Sequence, residues 1–208
     1  MDSSLPQSYP ADWEGHVVLS DGGLAFVRPV RPEDKEDLAA LHGRLSRESQ
    51  YLRYFTARRA LPEAELERVA YVDYRGRMGF VAFVQGRLAA HACYVRGERE
   101  DSAEVAFSVE DAQQGRGIGT LLLEQLAAYA HEQGLHRFTA SVLPQNRRMI
   151  EVFRDAGFPR RILRESDVLE VSLDIDPTRH SRDAIQRRHA EALAHARERL
   201  DARRREGP

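Results

Sequence analysis

Three glycines, at positions 115, 117 and 119, have the spacing in this sequence that most clearly suggests chemistry. They separate an apolar segment, residues 103–109, from a segment that begins at Thr120 and repeats apolar residues at helical spacing. This pattern predicts a buried strand, a glycine-rich turn and an amphipathic helix. Such a turn can bind an anion, because the first N–H groups of a helix lack internal partners and glycine lets the backbone approach a phosphate.

Comparison with known phosphate-binding motifs narrows the classes of ligand that this turn could bind. A dinucleotide-binding G-x-G-x-x-G fingerprint would need its third glycine at Thr120. A P-loop would need a lysine after its second glycine, whereas Lys35 is the one lysine of the sequence. From the residues alone two interpretations therefore remain. The turn binds pyrophosphate by another pattern, or it is a strand-to-helix turn that simply requires glycine.

The pattern Q-x-x-G-x-G, formed by Gln114, Gly117 and Gly119 directly after the predicted strand, resembles the acetyl-CoA pyrophosphate turn of the GNAT superfamily of N-acetyltransferases. Three segments, SRESQYLRYF, EVAFSVEDAQQGRGIGTLLLEQL and VLPQNRRMIEVFRDAGF, are similar to one branch in particular. That branch comprises bacterial protein lysine acetyltransferases that inactivate acyl-CoA synthetases. Their GNAT domain is often fused to a synthetase-like or cyclic-nucleotide-binding domain, so such a fused domain is a possible partner in a longer protein.

The resemblance covers residues 16–175, where the predicted elements follow the order of the GNAT fold. It implies an α/β (α+β) domain with a central mixed, mostly antiparallel twisted sheet flanked by helices. Residues 1–15 are interpreted as an N-terminal arm, which Trp13 could attach to the domain. Residues 176–208, rich in arginine and alanine, are interpreted as a basic C-terminal helix or linker. A solvated face, a connection to a further domain and a dimer contact are all compatible with that composition.

The resemblance also implies acetyl-CoA as co-substrate and assigns the residues that bind it. The glycine turn would hold the pyrophosphate, the end of the preceding strand would pair with the pantetheine arm, and Val109 N–H is a candidate oxyanion donor. Ordinary sheet pairing would explain the strand residues equally well, and a helix N-cap would explain Asn146. The expected cofactor-binding residues are Phe107, Ser108, Val109, Gln114, Gly115, Arg116, Gly117, Ile118, Gly119, Thr120, Asn146 and Phe153.

Glu104 is the acid within the predicted strand, and its side chain points away from those of Val105 and Phe107. Protein acetyltransferases of the superfamily carry a catalytic glutamate at the corresponding position, so the resemblance implies that Glu104 is the general base. A surface-facing acid is the alternative. Many members place a tyrosine where this sequence has Phe153, so the group that protonates the thiolate is left open. Two weaker candidates are Cys93, as an acyl-enzyme nucleophile, and His91, on the acceptor side; a core position is the alternative for Cys93.

Composition excludes several classes of function. The formal net charge of -2 argues against general affinity for nucleic acid or an anionic membrane. A single cysteine excludes internal disulfides and fits a reducing compartment, and the sequence has no signal-peptide pattern. We therefore expect a cytoplasmic protein. The histidines share no metal-ligand spacing, so no metal is predicted.

The sequence therefore predicts an acetyl-CoA-dependent N-acetyltransferase that uses direct attack in a ternary complex. The expected acceptor is the ε-amine of a protein lysine, plausibly on an AMP-forming acyl-CoA synthetase. Two alternatives remain, an acetyltransferase for small-molecule amines and a non-catalytic module that senses acyl-CoA.

Overall fold

The computed structural model describes residues 8–58 and 60–206 of the chain, so residues 1–7 of the predicted arm lie outside it. Its centre is one eight-stranded sheet with the order β1-β2-β3-β4-β5-β6-β8-β7. The strands are β1 (Gly15–Val18), β2 (Leu24–Pro29), β3 (Arg77–Val84), β4 (Arg87–Arg96), β5 (Ser102–Val109), β6 (Arg137–Val142), β7 (Arg160–Glu165) and β8 (Val168–Asp174). The helices are α1 (Lys35–Arg44), α2 (Arg47–Tyr54), α3 (Glu63–Ala70), α4 (Ile118–Glu132), α5 (Arg147–Asp155) and α6 (Arg179–Glu206).

The pairing of the strands is antiparallel with one exception. β5 and β6 run parallel, and their pairing extends only from Ser102 opposite Arg137 to Glu104 opposite Thr139. β5 remains paired with β4 as far as Val109, while β6 continues along β8. Beyond Glu104 the sheet therefore opens between β5 and β6. The mixed, mostly antiparallel sheet flanked by helices that the sequence predicted is confirmed.

Helices cover both faces of the sheet and build two apolar cores. On one face α4 buries an apolar side that includes Leu122, Leu126 and Tyr129 against β3, β4 and β5. On the other face α1 and α3 pack Leu41 and Leu66 against neighbouring strands. Burying one leucine of this kind stabilises the fold by roughly 1.5–3 kcal/mol.

The described part of the N-terminal arm packs against the core. The Trp13 ring lies 5.2 Å from that of Tyr129 and 6.0 Å from that of Phe80. The Tyr9 ring contacts that of Tyr74 edge-on at 5.7 Å. No helix in the described ranges has the length and apolar character required to span a membrane.

The C-terminal helix α6 contacts β1, the segment that follows α5, and one side chain of α4. It buries small residues, Ser181, Ala184 and Ala192, while Leu193 and Leu200 are about half exposed. Arg188 forms an ion pair with Glu124 of α4 and donates to the carbonyl oxygen of Asp155 at the end of α5. Polar contacts thus supplement the buried small residues. Arg188 makes them between Ala184 and Ala192, and His195 and Arg199 make them further along the helix.

Further along α6, the contacts reach the turn between β1 and β2. His195 Nδ1 lies 2.6 Å from the carbonyl oxygen of Ser20, and Arg199 donates to that of Asp21 at 3.0 Å. The helix therefore connects the end of α5, Glu124 of α4 and the β1–β2 turn.

Gly157 provides a test of this packing. Its φ is +79°, and a Cβ there would lie 2.8 Å from the Cβ of Ala184 in α6. Gly134 has a similar φ of +75° but open space around it. Both substitutions to alanine incur the cost of a left-handed backbone, about 1 kcal/mol. We expect Gly157→Ala to lower the free energy of unfolding by about 1–2 kcal/mol more than Gly134→Ala, because it also overpacks the contact with α6.

Equilibrium unfolding in urea measures this difference. Equal losses for the two variants would show that the contact between Gly157 and α6 does not stabilise the protein.

Candidate functional site

A cleft of about 1140 Å³ opens where β5 and β6 separate. This volume slightly exceeds the range of about 300–1,000 Å³ that is usual for ligand pockets. Its walls come from α2, the end of β5, the glycine turn, the start of α4, the end of β6, and the helices α5 and α6. It therefore suits a long ligand that contacts several elements.

The open edge of β5 presents backbone groups to this cleft. Glu110 N–H donates to the carbonyl oxygen of Ala89 at 2.9 Å and so points towards β4. Because successive N–H groups of a strand point to opposite edges, Val109 N–H points towards the opening. The Val109 carbonyl also lies on that side, since it accepts a hydrogen bond from Gln114 Nε2 at 3.0 Å. Val109 N–H thus points into the cleft, as a donor to an oxyanion bound there would have to do.

The glycine turn places the start of α4 at the same cleft. Gly115 and Gly117 have φ of +76° and +80°, a backbone that other residues rarely adopt. Gly117 is the N-cap of α4, and no side chain of the described residues caps that helix. Its first N–H groups and its partial positive charge are therefore left for an anion.

Gln114 and Arg116 hold the turn in place in different ways. The Gln114 amide donates to Val109 and to Ser49 Oγ (3.2 Å) and accepts from Arg148, so it ties the turn to the end of β5 and to α2. The Arg116 guanidinium instead binds Asp21, with Nε 2.8 Å from Oδ2. Arg116 is the one expected cofactor-binding residue that does not line the cleft. Its side chain connects the glycine turn to the β1–β2 turn.

Glu104 lies at the position where β5 and β6 separate. It is the last β5 residue paired with β6, its side chain is exposed, and it lines the cleft. Val105, next to it, is buried on the opposite face, towards α4. Arg53 of α2 also lines the cleft. A molecule entering from the α2 side would therefore meet Glu104 close to the open edge of β5.

Asn146 and Phe153 line the cleft from α5. Asn146 is the N-cap of α5, and its Oδ1 accepts from Met149 N–H at 3.1 Å. The expected N-cap role is therefore present, and the amide nitrogen remains available to a ligand. Phe153 is almost fully buried, with its ring 6.2 Å from that of Phe107 in an edge-on contact. Those two rings give this part of the cleft an apolar wall.

Cys93 and His91 lie beneath the cleft and are not among the residues that line it. Burial raises the pKa of the Cys93 thiol, so it is held in the protonated form. Burial, assisted by the positive charge of Arg53, lowers the pKa of His91 to about 3. His91 Nε2 has no hydrogen-bond partner within the described residues. Both side chains belong to the interior of the sheet.

Sequence reasoning missed the contribution of α6 to the cleft. Five residues of that helix line it, namely His180, Ala184, Arg187, Arg188 and Glu191. The helix packs through small and polar residues at spacings of three and four, which a search for large apolar residues does not detect. Arg53 of α2 and Phe55, which follows α2, also line the cleft, whereas Tyr51 and Tyr54 do not.

Taken together, these features fit a pyrophosphate-containing acyl thioester. The uncapped α4 start suits the pyrophosphate, the open edge of β5 suits an amide-bearing arm, and the wall formed by Phe107 and Phe153 suits its apolar parts. When bound, acetyl-CoA would supply the activated acetyl group next to Glu104 and Val109.

Gly117 should be required for binding of acetyl-CoA. A larger residue such as Gly117→Val would strain the left-handed backbone and crowd Ser20, whose Cβ lies 3.4 Å from a Cβ at that position. We expect acetyl-CoA affinity to fall at least tenfold by isothermal titration calorimetry. Gly86→Val in the β3–β4 turn, with φ of +77° and open surroundings, is the control for backbone strain. Normal acetyl-CoA affinity in Gly117→Val would show that this turn does not bind the pyrophosphate.

His91 should make the protein less stable as the pH falls. Unfolded histidine titrates near pH 6.5, whereas burial holds His91 near 3 in the native state. Between these values the unfolded chain binds one more proton, so the free energy of unfolding falls with decreasing pH. The advantage of the wild type over His91→Gln should fall by about 2 kcal/mol between pH 6 and 4.5, measured by urea unfolding. A constant difference would mean that native His91 titrates normally.

Comparison of the sequence and fold with known proteins agrees with the acetyl-CoA site that the cleft geometry suggests. The family model described as acetyltransferase (GNAT) family matches residues 46–158. The solved GNAT domain of S. lividans PAT has a TM-score of 0.76 and 41% sequence identity, covering 80% of this chain and 99% of that one.

Two curated relatives extend the comparison. The acetyltransferase Pat of Mycolicibacterium smegmatis is 35% identical over 144 residues, which cover 68% of this chain. The chain spans only 43% of that relative's length. An L-methionine sulfoximine/L-methionine sulfone acetyltransferase of Pseudomonas aeruginosa is 31% identical over 130 residues, covering 54% of this chain and 75% of the relative.

Proposed function

The chain belongs to the GNAT family of acetyltransferases, and from this premise we propose that it transfers acetyl from acetyl-CoA to the ε-amine of a lysine on another protein. The observation that carries the proposal is the position of Glu104. It is an exposed carboxylate at the point where β5 and β6 separate, next to the strand edge that suits the thioester arm.

Proton removal is the step that most needs a side chain. A lysine titrates near pH 10.4, so the neutral amine costs about 4–5 kcal/mol at pH 7. Glu104 accepts this proton, directly or through one water, as the amine approaches from the α2 side. The neutral nitrogen then attacks the thioester carbonyl.

The remaining charge develops on two atoms. Val109 N–H, directed at the open edge, donates to the carbonyl oxygen as it becomes negative. The leaving sulfur meets the apolar ring of Phe153, which offers no proton. It therefore leaves as a thiolate and takes a proton from solvent, while the nitrogen releases its second proton to solvent as the amide forms.

A protein acceptor is supported by the surface beside Glu104. Tyr51 of α2 and Phe55, which follows α2, are 44% and 42% exposed, and Phe55 lines the cleft together with Glu104. The relatives and the SRESQYLRYF segment of α2 agree with the branch whose resemblance implied a synthetase as acceptor. An AMP-forming acyl-CoA synthetase is therefore the acceptor that we propose.

A small amine is the second candidate. It is favoured by the similarity to the acetyltransferase for methionine sulfoximine and methionine sulfone. From a different class, a module that only senses acyl-CoA would use the same cleft without turnover.

Intact-mass spectrometry separates these functions. A purified AMP-forming acetyl-CoA synthetase is incubated with this protein and acetyl-CoA. The proposal predicts one acetyl adduct and loss of synthetase activity. No adduct, together with CoA release in the presence of small amines, would favour the second candidate. Neither adduct nor CoA release would favour the sensor.

Glu104→Gln tests the base in the same assay. We expect turnover at neutral pH to fall at least tenfold with unchanged acetyl-CoA affinity, because the amide keeps the shape but cannot accept the proton. Glu100→Gln, an exposed glutamate in the β4–β5 turn, is the matched control. Unchanged turnover in Glu104→Gln would place the base elsewhere.

A further inference from the structure

A second group of chemistry-bearing side chains lies away from the cleft. It consists of His131 in the last turn of α4, His136 just before β6, and Asp176 between β8 and α6. Each offers one ligand atom, and these atoms lie within 4.8 Å of one another. None of the three lines the cleft. The fold thus brings together two imidazoles and a carboxylate that acetyl transfer does not use.

The two imidazoles are directed at the same carboxylate oxygen. Nδ1 of His136 lies 2.6 Å and Nδ1 of His131 lies 3.2 Å from Asp176 Oδ1. The contact of His136 is a hydrogen bond, whereas Nδ1 of His131 is buried and lacks hydrogen-bond geometry to any described residue. One buried nitrogen of the group therefore has no partner of its own, although a carboxylate is close to it.

The two distances to Asp176 Oδ1 are close to the donor–donor distances around a bound metal ion, and the imidazole donor atoms lie within 4.8 Å of each other. A tetrahedral ion about 2.0–2.1 Å from each donor atom places the donors about 3.3 Å apart. The distance from His131 to Asp176 already matches this value. The distance from His136 would have to lengthen by less than about 1 Å. The side chains of His136 and Asp176 are about half exposed, which leaves them room to rotate.

The backbone around the three residues is held by its own hydrogen bonds. His136 N–H donates to Asp101 O at 2.9 Å, and Ile175 N–H donates to His136 O at 3.0 Å. Asp176 N–H donates to Asp174 Oδ1 at 3.3 Å. The segments that carry His136 and Asp176 are thus fixed relative to each other by backbone hydrogen bonds.

We propose that His131, His136 and Asp176 form a binding site for a divalent transition-metal ion of the zinc class, with water completing the coordination. Two imidazoles and one carboxylate suit Zn²⁺ or Co²⁺, whereas Mg²⁺ and Ca²⁺ prefer oxygen ligands alone. A bound ion would join the end of α4, the start of β6 and the residues that precede α6. It would therefore fix the base of the helix that lines the cleft.

The experiment uses the whole 208-residue chain, freed of any affinity tag and of metal. Zn²⁺ is titrated by isothermal titration calorimetry, and Co²⁺ is titrated while its visible d–d absorption is recorded. We expect one ion per chain, and absorption that indicates four or five ligands rather than the six of the aqueous ion. The variants His131→Ala and His136→Ala should bind Zn²⁺ at least tenfold more weakly.

His16→Ala is the matched control, because His16 is an exposed histidine of β1 outside the group. It should bind as the wild type does. Thermal unfolding without metal shows whether each variant folds, and with Zn²⁺ the midpoint should rise in the wild type and in His16→Ala but not in His136→Ala. The proposal is overturned if the wild type binds no ion, or if His131→Ala and His136→Ala keep wild-type affinity. These titrations and unfolding experiments contain no acetyl-CoA, so their result does not depend on the proposed acetyl transfer.

Discussion

The separation of β5 from β6 after three residue pairs is the constraint on which the rest of the structure depends. A strand inside a sheet normally satisfies the N–H and C=O groups of both edges, so an open internal edge needs another partner. Here Gln114 satisfies the carbonyl of Val109, and the remainder of the edge faces the cleft. The opening also places Glu104 at its corner, where a strand residue becomes accessible without leaving the sheet.

The turn between β1 and β2 links the site to distant parts of the chain. Ser20 N–H donates to the carbonyl of Arg116 at 3.1 Å, and Asp21 binds the Arg116 side chain. The same turn accepts contacts from His195 and Arg199 of α6. The glycine turn is therefore supported from behind by the first hairpin, which is in turn supported by the C-terminal helix.

The C-terminal helix is held in place by small buried residues together with ion pairs and hydrogen bonds. Its buried residues are small, so its packing stabilises it less than a leucine-rich face would. Ion pairs and hydrogen bonds at Arg188, His195 and Arg199 supplement that packing. The helix begins three residues after Asp176, which meets His131 and His136.

Hydrophobic periodicity and glycine positions predicted the individual helices and strands, because they report local backbone preferences and buried faces. The arrangement of the sheet was predicted by the resemblance to the GNAT superfamily. The Gln114, Gly117 and Gly119 pattern indicated the turn, and the N-cap at Asn146 was predicted from local residue type and is observed. The acceptor, the roles of the site residues and the domain limits remain predictions.

Only the tertiary structure determined the contacts between residues that are far apart in the sequence. It directed Arg116 to Asp21 rather than to the cleft, added α6 to the wall of the cleft, and joined Asp176 to two histidines about forty residues earlier in the chain. Local periodicity carries no information on such pairs, because they depend on how the sheet and its helices pack in three dimensions.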